Sequence, residues 1–251
     1  MGLKKKLKNK ALGYKATSDS YIAQLRRSGV KVGTDVKFFR PYNTTIDMQN
    51  PHLLTIGDHV MITGPVTVLT HDYSWSVLKN KYGYVAGNQK PVKIGNNVFI
   101  GWGATILAGT TVGDNTIIGA NSVVSGRLES DSVYAGNPAK RIMSIDEYYR
   151  KRLSRQLDEA YGVVCEYKKR RGEYPPAEIL DEYFFLFTGG NTDDLPEAYL
   201  TKLRLMGTYE ESMELLRNNK PQFDGYDSFI EYCVNREKDD CYRKTETTNE
   251  I

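Results

Sequence analysis

The sequence predicts a parallel β-helix, preceded by a short helix and followed by a helical extension. Between 92 and 140 an aliphatic residue recurs at every sixth position: Ile94, Ile100, Ile106, Val112, Ile118 and Val124. Four residues after each of the first five stands a small or β-branched residue: Val98, Ala104, Thr110, Thr116 and Ser122. A helix repeats near 3.6 residues and a strand at two, so neither yields a strict six. Three short strands making one triangular turn do, with the aliphatic side chain pointing inward. Turns then stack at about 4.8 Å, and each buries its interior only between neighbours. An ordinary sandwich with evenly spaced strands is the alternative, but its turns do not hold register over six repeats. The extension announces itself at Ser144 and Glu147, a capping box after which apolar residues adopt helical spacing.

Composition narrows the class. A chain of 251 residues fits one to two domains and can bury a real core. A net charge of +3 is no nucleic-acid signature, so no nucleic-acid partner is expected. Cys165, Cys233 and Cys241 show no metal or disulfide spacing and read as reduced thiols of a cytoplasmic protein. No apolar run approaches the ~20 residues of a transmembrane segment. The start is basic, but no apolar segment follows it as in a secretory signal, and Lys6 stands where a myristoylation motif needs Ser or Thr.

Residues 1–29 divide in two. Lys4, Lys5, Lys6, Lys8 and Lys10 read as a solvated tail or, alternatively, as a weak peripheral contact with an anionic membrane surface. Ser18 then caps a helix with Tyr21, Ile22 and Leu25 on one face, expected to lie across the open end of the β-helix. The β-helix spans 30–140. Its phase begins at Val32, blurs between Pro41 and Pro51, returns at Ile56, Ile62 and Val68, and stops at Thr70, His71 and Asp72. An excursion, 72–91, follows without the period and holds Trp75, Tyr82 and Tyr84. A solenoid accepts an insertion only at a corner, and long loops in compact domains usually carry function. In the extension, 141–251, the first helix runs from Ser144 to about Arg171 with Tyr149, Leu153, Leu157, Ala160 or Tyr161, and Val164 in one stripe. A second is expected over 177–187, a third opened by Pro196, a fourth capped by Thr208 and Glu211, and a fifth from Asp227, with a frayed tail after Glu237.

The three histidines are His52, His59 and His71. Their gaps of seven and twelve do not match a stacking period of about eighteen, so no metal site is expected. His71 stands where a regular coil ends and the excursion departs, on the outer wall of the prism. An imidazole there accepts a proton from a hydroxyl at neutral pH; the alternative is a loop residue bonded to its own backbone. His52 and His59 read as surface residues.

The repeat, the exit at Thr70-His71-Asp72 and the phrase Ala135-Gly136-Asn137-Pro138-Ala139-Lys140-Arg141 together resemble the hexapeptide acyltransferases. The nearest group is that of maltose and galactoside O-acetyltransferases, xenobiotic acetyltransferases and capsule polysaccharide O-acetyltransferases. The resemblance covers roughly residues 30–143 and implies a left-handed β-helix, a homotrimer with active sites in the grooves between subunits, and acetyl-CoA as co-substrate without a metal. It makes His71 the general base, its second ring nitrogen held by a backbone carbonyl or a carboxylate. Gly101, Trp102, Ala120 and Ser125 match positions along the pantetheine arm, and Lys140 and Arg141 positions near the phosphates. Two departures stand out: Trp102 is bulky where relatives often carry a small residue, and Gly126 replaces a common Lys. For a carbohydrate acceptor the resemblance points to Asn43 and Thr44, and the excursion offers Tyr73 and Trp75 as stacking surfaces. Those aromatics equally fit as anchors on a neighbouring subunit. The implied activity is O-acetylation of a carbohydrate in surface or capsular polysaccharide synthesis; N-acetylation of an amino sugar and a non-catalytic scaffold remain as alternatives.

Overall fold

A computed structural model describes residues 12–248; the predicted lysine run of the first ten residues, with its membrane reading, lies outside them. The chain divides into two compact units at Tyr149 and Arg150.

In the first unit short parallel strands stack into three faces. One face orders Lys31–Val32, Leu54–Ile56, Val92–Ile94, Thr111–Val112 and Arg127–Leu128. The second orders Lys37–Phe38, Met61–Ile62, Val98–Ile100, Thr116–Ile118 and Ser132–Ala135, and the third Thr45–Ile46, Thr67–Val68, Thr105–Ile106 and Val123–Val124. This is a parallel β-helix. The aliphatic residue of each six points inward: Ile94, Ile100, Ile106, Val112, Ile118 and Val124 are all buried, each contributing about 1.5–3 kcal/mol by leaving water. The small residues four on are buried too, and their hydroxyls are satisfied within the same turn. Thr110 Oγ1 donates to Leu107 O (2.6 Å), Thr116 Oγ1 to Gly113 O (2.9 Å) and Ser122 Oγ to Gly119 O (2.8 Å). A buried hydroxyl left without such a partner would cost stability.

The period of 18 holds in the coils from Val92 to Val124; the last step, Thr111 to Arg127, is 16. Lys93 pairs with Thr111 and Thr105 with Val123, a step of 18. Lys31 pairs with Thr55, a step of 24, because 3₁₀ turns at Pro41–Asn43 and Pro51–Leu53 add residues where the phase blurred. Thr67 pairs with Thr105, a step of 38 that contains the excursion.

At the corner between the first and second faces, Asp35, His59, Asn97, Asn115 and Asp131 adopt φ between 49° and 54°. Asn and Asp tolerate this left-handed region better than most residues. Their side chains also link coils: Asn97 Nδ2 donates to Asn115 Oδ1 (2.9 Å), and Asn115 Nδ2 to Asp131 Oδ1 (2.8 Å). Asn115→Ala is expected to destabilise the unit by about 1–2 kcal/mol, and Asn115→Gly by less because glycine keeps the φ. Urea unfolding checks this; equal losses would refute the backbone contribution.

Helix α1 (Ser18–Ser28) covers the first coil with Tyr21, Ile22 and Leu25 buried. Its cap is Thr17, not Ser18: Thr17 Oγ1 accepts from Ser20 N, while Ser18 Oγ accepts from Phe38 N (3.0 Å) and ties the helix to the prism. Tyr21 OH donates to Thr44 O (3.3 Å) and accepts from Ile46 N (3.2 Å), so the helix supplies hydrogen bonds to an otherwise open coil edge. The excursion is also more ordered than expected. It contains α2 (Trp75–Tyr82) and an antiparallel pair, His71–Asp72 with Asn88–Gln89. Lys140–Ser144 folds back antiparallel on Ser132–Ala135, ending the second face.

Helix α3 (Ile145–Arg171) starts in the first unit, at the predicted box, Ser144 N donating to Glu147 Oε2 (2.7 Å) and Glu147 N to Ser144 Oγ (3.1 Å), and continues into the second. Of its predicted stripe Ala160 and Val164 are buried and Leu157 partly so, but Tyr149 and Leu153 are exposed. The expected helix over 177–187 is instead two 3₁₀ turns, Ala177–Leu180 and Phe184–Leu186. A 3₁₀ turn brings residues three apart onto one line, the spacing of the buried pair Phe184 and Phe187. Then come α4 (Glu197–Leu203), α5 (Tyr209–Arg217), which lacks a side-chain cap from Thr208, and α6 (Gly225–Thr248), which starts two residues before Asp227 and stays helical past Glu237. Phe184, Phe187, Tyr199, Leu216 and Phe229 form the core of the second unit with Cys233, whose thiol is pushed up to about 12, chiefly by burial. Among the described residues no helix is long and apolar enough to cross a membrane.

Candidate active site

The third face ends at Asp47 in one coil and at Leu69 in the next, because Ile46 pairs with Val68 and Asp47 N donates to Val68 O (2.9 Å). Thr70, fully buried, and His71, mostly so, follow at the corner. Asp47, nearly buried, collects their polar groups. Its Oδ2 accepts from Thr70 N (3.0 Å), Thr70 Oγ1 (2.5 Å) and His71 Nδ1 (2.6 Å), and its Oδ1 from Gln49 N (2.9 Å). Burial opposes charge on this carboxyl, but the hydrogen bonds from Thr70, Gln49 and His71 together outweigh it and hold the group below the usual carboxylate range. A carboxylate only accepts, so Nδ1 carries the proton and Nε2 keeps its lone pair.

Around this ring lies a cleft of about 240 Å³, lined by His71, Gln49, Tyr73, Trp75, Asn88 and Gln89 among others. Tyr73 stands edge-on to His71 at 5.3 Å and donates from its hydroxyl to Gln49 Oε1 (3.2 Å). Trp75 follows at 5.8 Å from Tyr73. The neck of the excursion is closed by Lys90 N to Thr70 O (2.9 Å) and by Asp72, which accepts from Ser74 N, Ser74 Oγ and Asn88 Nδ2. Hydrogen bonds from Ser74 first, then Asn88, keep the Asp72 carboxyl below its ordinary range.

The structure therefore gathers His71, Tyr73 and Trp75. It does not place Thr44 with them: that residue is fully buried, its hydroxyl donating to Arg40 O (3.0 Å), so the expectation of an acceptor contact from its side chain is corrected. Asn43 is exposed in the 3₁₀ turn and does not line the cleft. The predicted pantetheine positions split. Gly101, Trp102 and Ala120 stand at the corner between the second and third faces, and Ser125 at the next corner, beyond the third face, from which His71 departs. Gly101 is required by coil stacking, since a Cβ there would lie 2.7 Å from Ala120 N. Trp102 is half-exposed, with the Arg40 guanidinium 4.6 Å from its ring centroid. Lys140 and Arg141 are exposed, and Arg141 Nε donates to Ser132 Oγ (3.1 Å). Among the described residues no group of three or more His, Cys, Asp or Glu is arranged to hold a metal ion. Asp47, Gln49, Asn88 and Gln89 escaped the sequence reading; the blurred phase around Asp47 hid which coil it would stack on.

Fold and site together define a β-helix protein with its polar chemistry concentrated at one corner. A family model described as bacterial transferase hexapeptide (six repeats) matches residues 91–126. Protein CapG of Staphylococcus aureus is 39% identical over 130 residues, covering 52% of this chain and 74% of that protein. The galactoside O-acetyltransferase of Escherichia coli is 36% identical over 122 residues, or 48% of this chain, and the match spans 56% of the enzyme's length. Among solved structures, a galactoside acetyltransferase in complex with coenzyme A aligns at 25% identity and a TM-score of 0.41, covering 59% of this chain and 84% of that one. The chain belongs to the hexapeptide-repeat acyltransferases.

Proposed function

We propose that the protein is an acetyl-CoA-dependent O-acetyltransferase acting on a carbohydrate hydroxyl in surface or capsular polysaccharide synthesis. The observation that carries this reading is the Thr70–Asp47–His71 network at the mouth of an aromatic and carboxamide-lined cleft. His71 Nε2 takes the proton of the acceptor hydroxyl as its oxygen bonds to the thioester carbonyl carbon. Asp47 stabilises the imidazolium that forms and keeps the ring oriented. The tetrahedral intermediate then breaks its C–S bond; the sulfur leaves, takes the proton from Nε2 and departs as the CoA thiol, and the acceptor keeps the acetyl ester. Tyr73 and Trp75 give the sugar ring apolar surface, and Gln49, Asn88 and Gln89 give its hydroxyls partners.

In this reading the β-helix is left-handed and the enzyme is a homotrimer. Within one chain His71 stands at one corner and Gly101, Trp102 and Ala120 at another, so the groove between two copies is where a base from one and a pantetheine path from the other meet. Lys140 and Arg141 serve the phosphates. The free thiols Cys165 and Cys233 suit the cytoplasm.

The test is thiol release from acetyl-CoA across a panel of sugars, amino sugars and oligosaccharides. Turnover on hydroxyl acceptors supports the reading, and turnover confined to amino sugars replaces it with N-acetylation. No turnover together with no CoA binding by calorimetry leaves a scaffold.

A further inference from the structure

The excursion carries a surface that extends beyond the cleft around His71. Tyr73, Val77, Leu78, Tyr82, Tyr84 and Val85 are all exposed, Tyr82 by 65% and Tyr84 by 71%. Helix α2 buries none of its residues. Apolar surface gathered in this way on one exposed element marks a binding surface. Tyr73 and Val85 also line the cleft around His71, so the patch continues from the candidate active site.

Its charge is of one sign. Between Tyr73 and Pro91 the chain holds Lys79, Lys81 and Lys90 and no Asp or Glu. All three lysines are exposed, and among the described residues none is paired with a carboxylate. Lys81 Nζ instead lies 5.1 Å from the centroid of the Tyr82 ring. Uncompensated positive charge favours an anionic partner. The order of the side chains narrows its class. Lys81 stands one helical turn after Val77, and Lys79 one turn after Trp75, so cations are interleaved with apolar groups. A helix that lies on a membrane separates the two onto opposite faces, and two copies of this patch would bring lysine to lysine. A chain of acidic sugars suits the interleaving, its C–H faces against Tyr82 and Tyr84 and its carboxylates against the lysines. Helix α2 is about 12 Å long, more than a single sugar ring covers.

We propose that the excursion binds an acidic polysaccharide chain, so that the acceptor in the cleft is one residue of a negatively charged polymer and not a free sugar. The proposal rests on the reading of the cleft around His71 as the acceptor site. The experiment is calorimetry on the full chain, without acetyl-CoA, with hexagalacturonate, galacturonate and maltohexaose. Hexagalacturonate is expected to bind about tenfold tighter than either of the others, and less tightly as salt rises. Lys79→Gln combined with Lys81→Gln should weaken hexagalacturonate about five- to tenfold and leave maltohexaose unchanged. Tyr82→Ser combined with Tyr84→Ser should weaken both oligosaccharides. Thiol release is measured separately: its absence with every acceptor would end the transferase reading and leave the binding result standing. No binding of hexagalacturonate, equal affinity for galacturonate or maltohexaose, or an affinity that survives the lysine substitutions would overturn the proposal. So would a change of oligomeric mass in either variant, which would make the patch a contact between copies. Capture by phosphatidylglycerol vesicles in place of the hexasaccharide would overturn it as well, and make the patch a membrane contact.

Discussion

Replacing His71 with alanine is expected to lower acetyl transfer by roughly 10²–10⁴-fold, the range for losing a general base. The fold should survive. His71 is one of several donors to Asp47, and Thr70 and Gln49 remain to satisfy the carboxylate. The variant should therefore bind CoA normally, and thermal unfolding should change little. Thiol release from acetyl-CoA, followed in parallel for both proteins, reads the effect. An unchanged rate would remove His71 from the chemistry.

Asp47→Asn is expected to lower the turnover number by roughly ten- to a thousandfold while leaving the KM for acetyl-CoA nearly unchanged, because the carboxylate fixes the tautomer of the base. At this site an amide is a poor substitute. Three donors converge on Oδ2, and a carboxamide that keeps its oxygen toward Gln49 turns its NH₂ toward them. His71 Nδ1 must then accept, the proton moves to Nε2, and the nitrogen facing the substrate has no lone pair to offer. A companion effect concerns acid stability. The Asp47 carboxyl titrates lower when folded than when unfolded, so its stabilisation is fully present above the unfolded value of about 3.9 and is lost as pH falls through the folded value. Between neutral pH and about 4 the wild type should hold an advantage over Asp47→Asn that shrinks on further acidification. Urea unfolding at a series of pH values would show it; a pH-independent difference would mean that the carboxylate's charge plays no part.

Much of the β-helix was legible because its pattern is one-dimensional. An inward aliphatic every six residues and a small residue at each corner are demands a solenoid repeats at every turn, and Ile94 through Val124 meet them without exception. The helical extension was less legible. A stripe of apolar residues says that a segment is buried on one side, but an aromatic run such as Tyr183 to Phe187 satisfies that demand equally as 3₁₀ turns. Exposed Tyr149 and Leu153 show the converse, since helical spacing by itself does not create a surface to bury against.

The sequence by itself determined the repeat, the corner at which it is interrupted and the imidazole that stands there, since each is written in local spacing. The tertiary structure decided what that imidazole is bonded to. Asp47 lies in a stretch where two 3₁₀ turns shift the phase, so its coil partner follows from the pairing of Ile46 with Val68 and not from counting in eighteens. It likewise decided that Thr44 is interior and that Gln49 and Gln89 line the cleft with His71, because the order of groups around a cleft depends on how separate coils and an inserted ribbon stack in space.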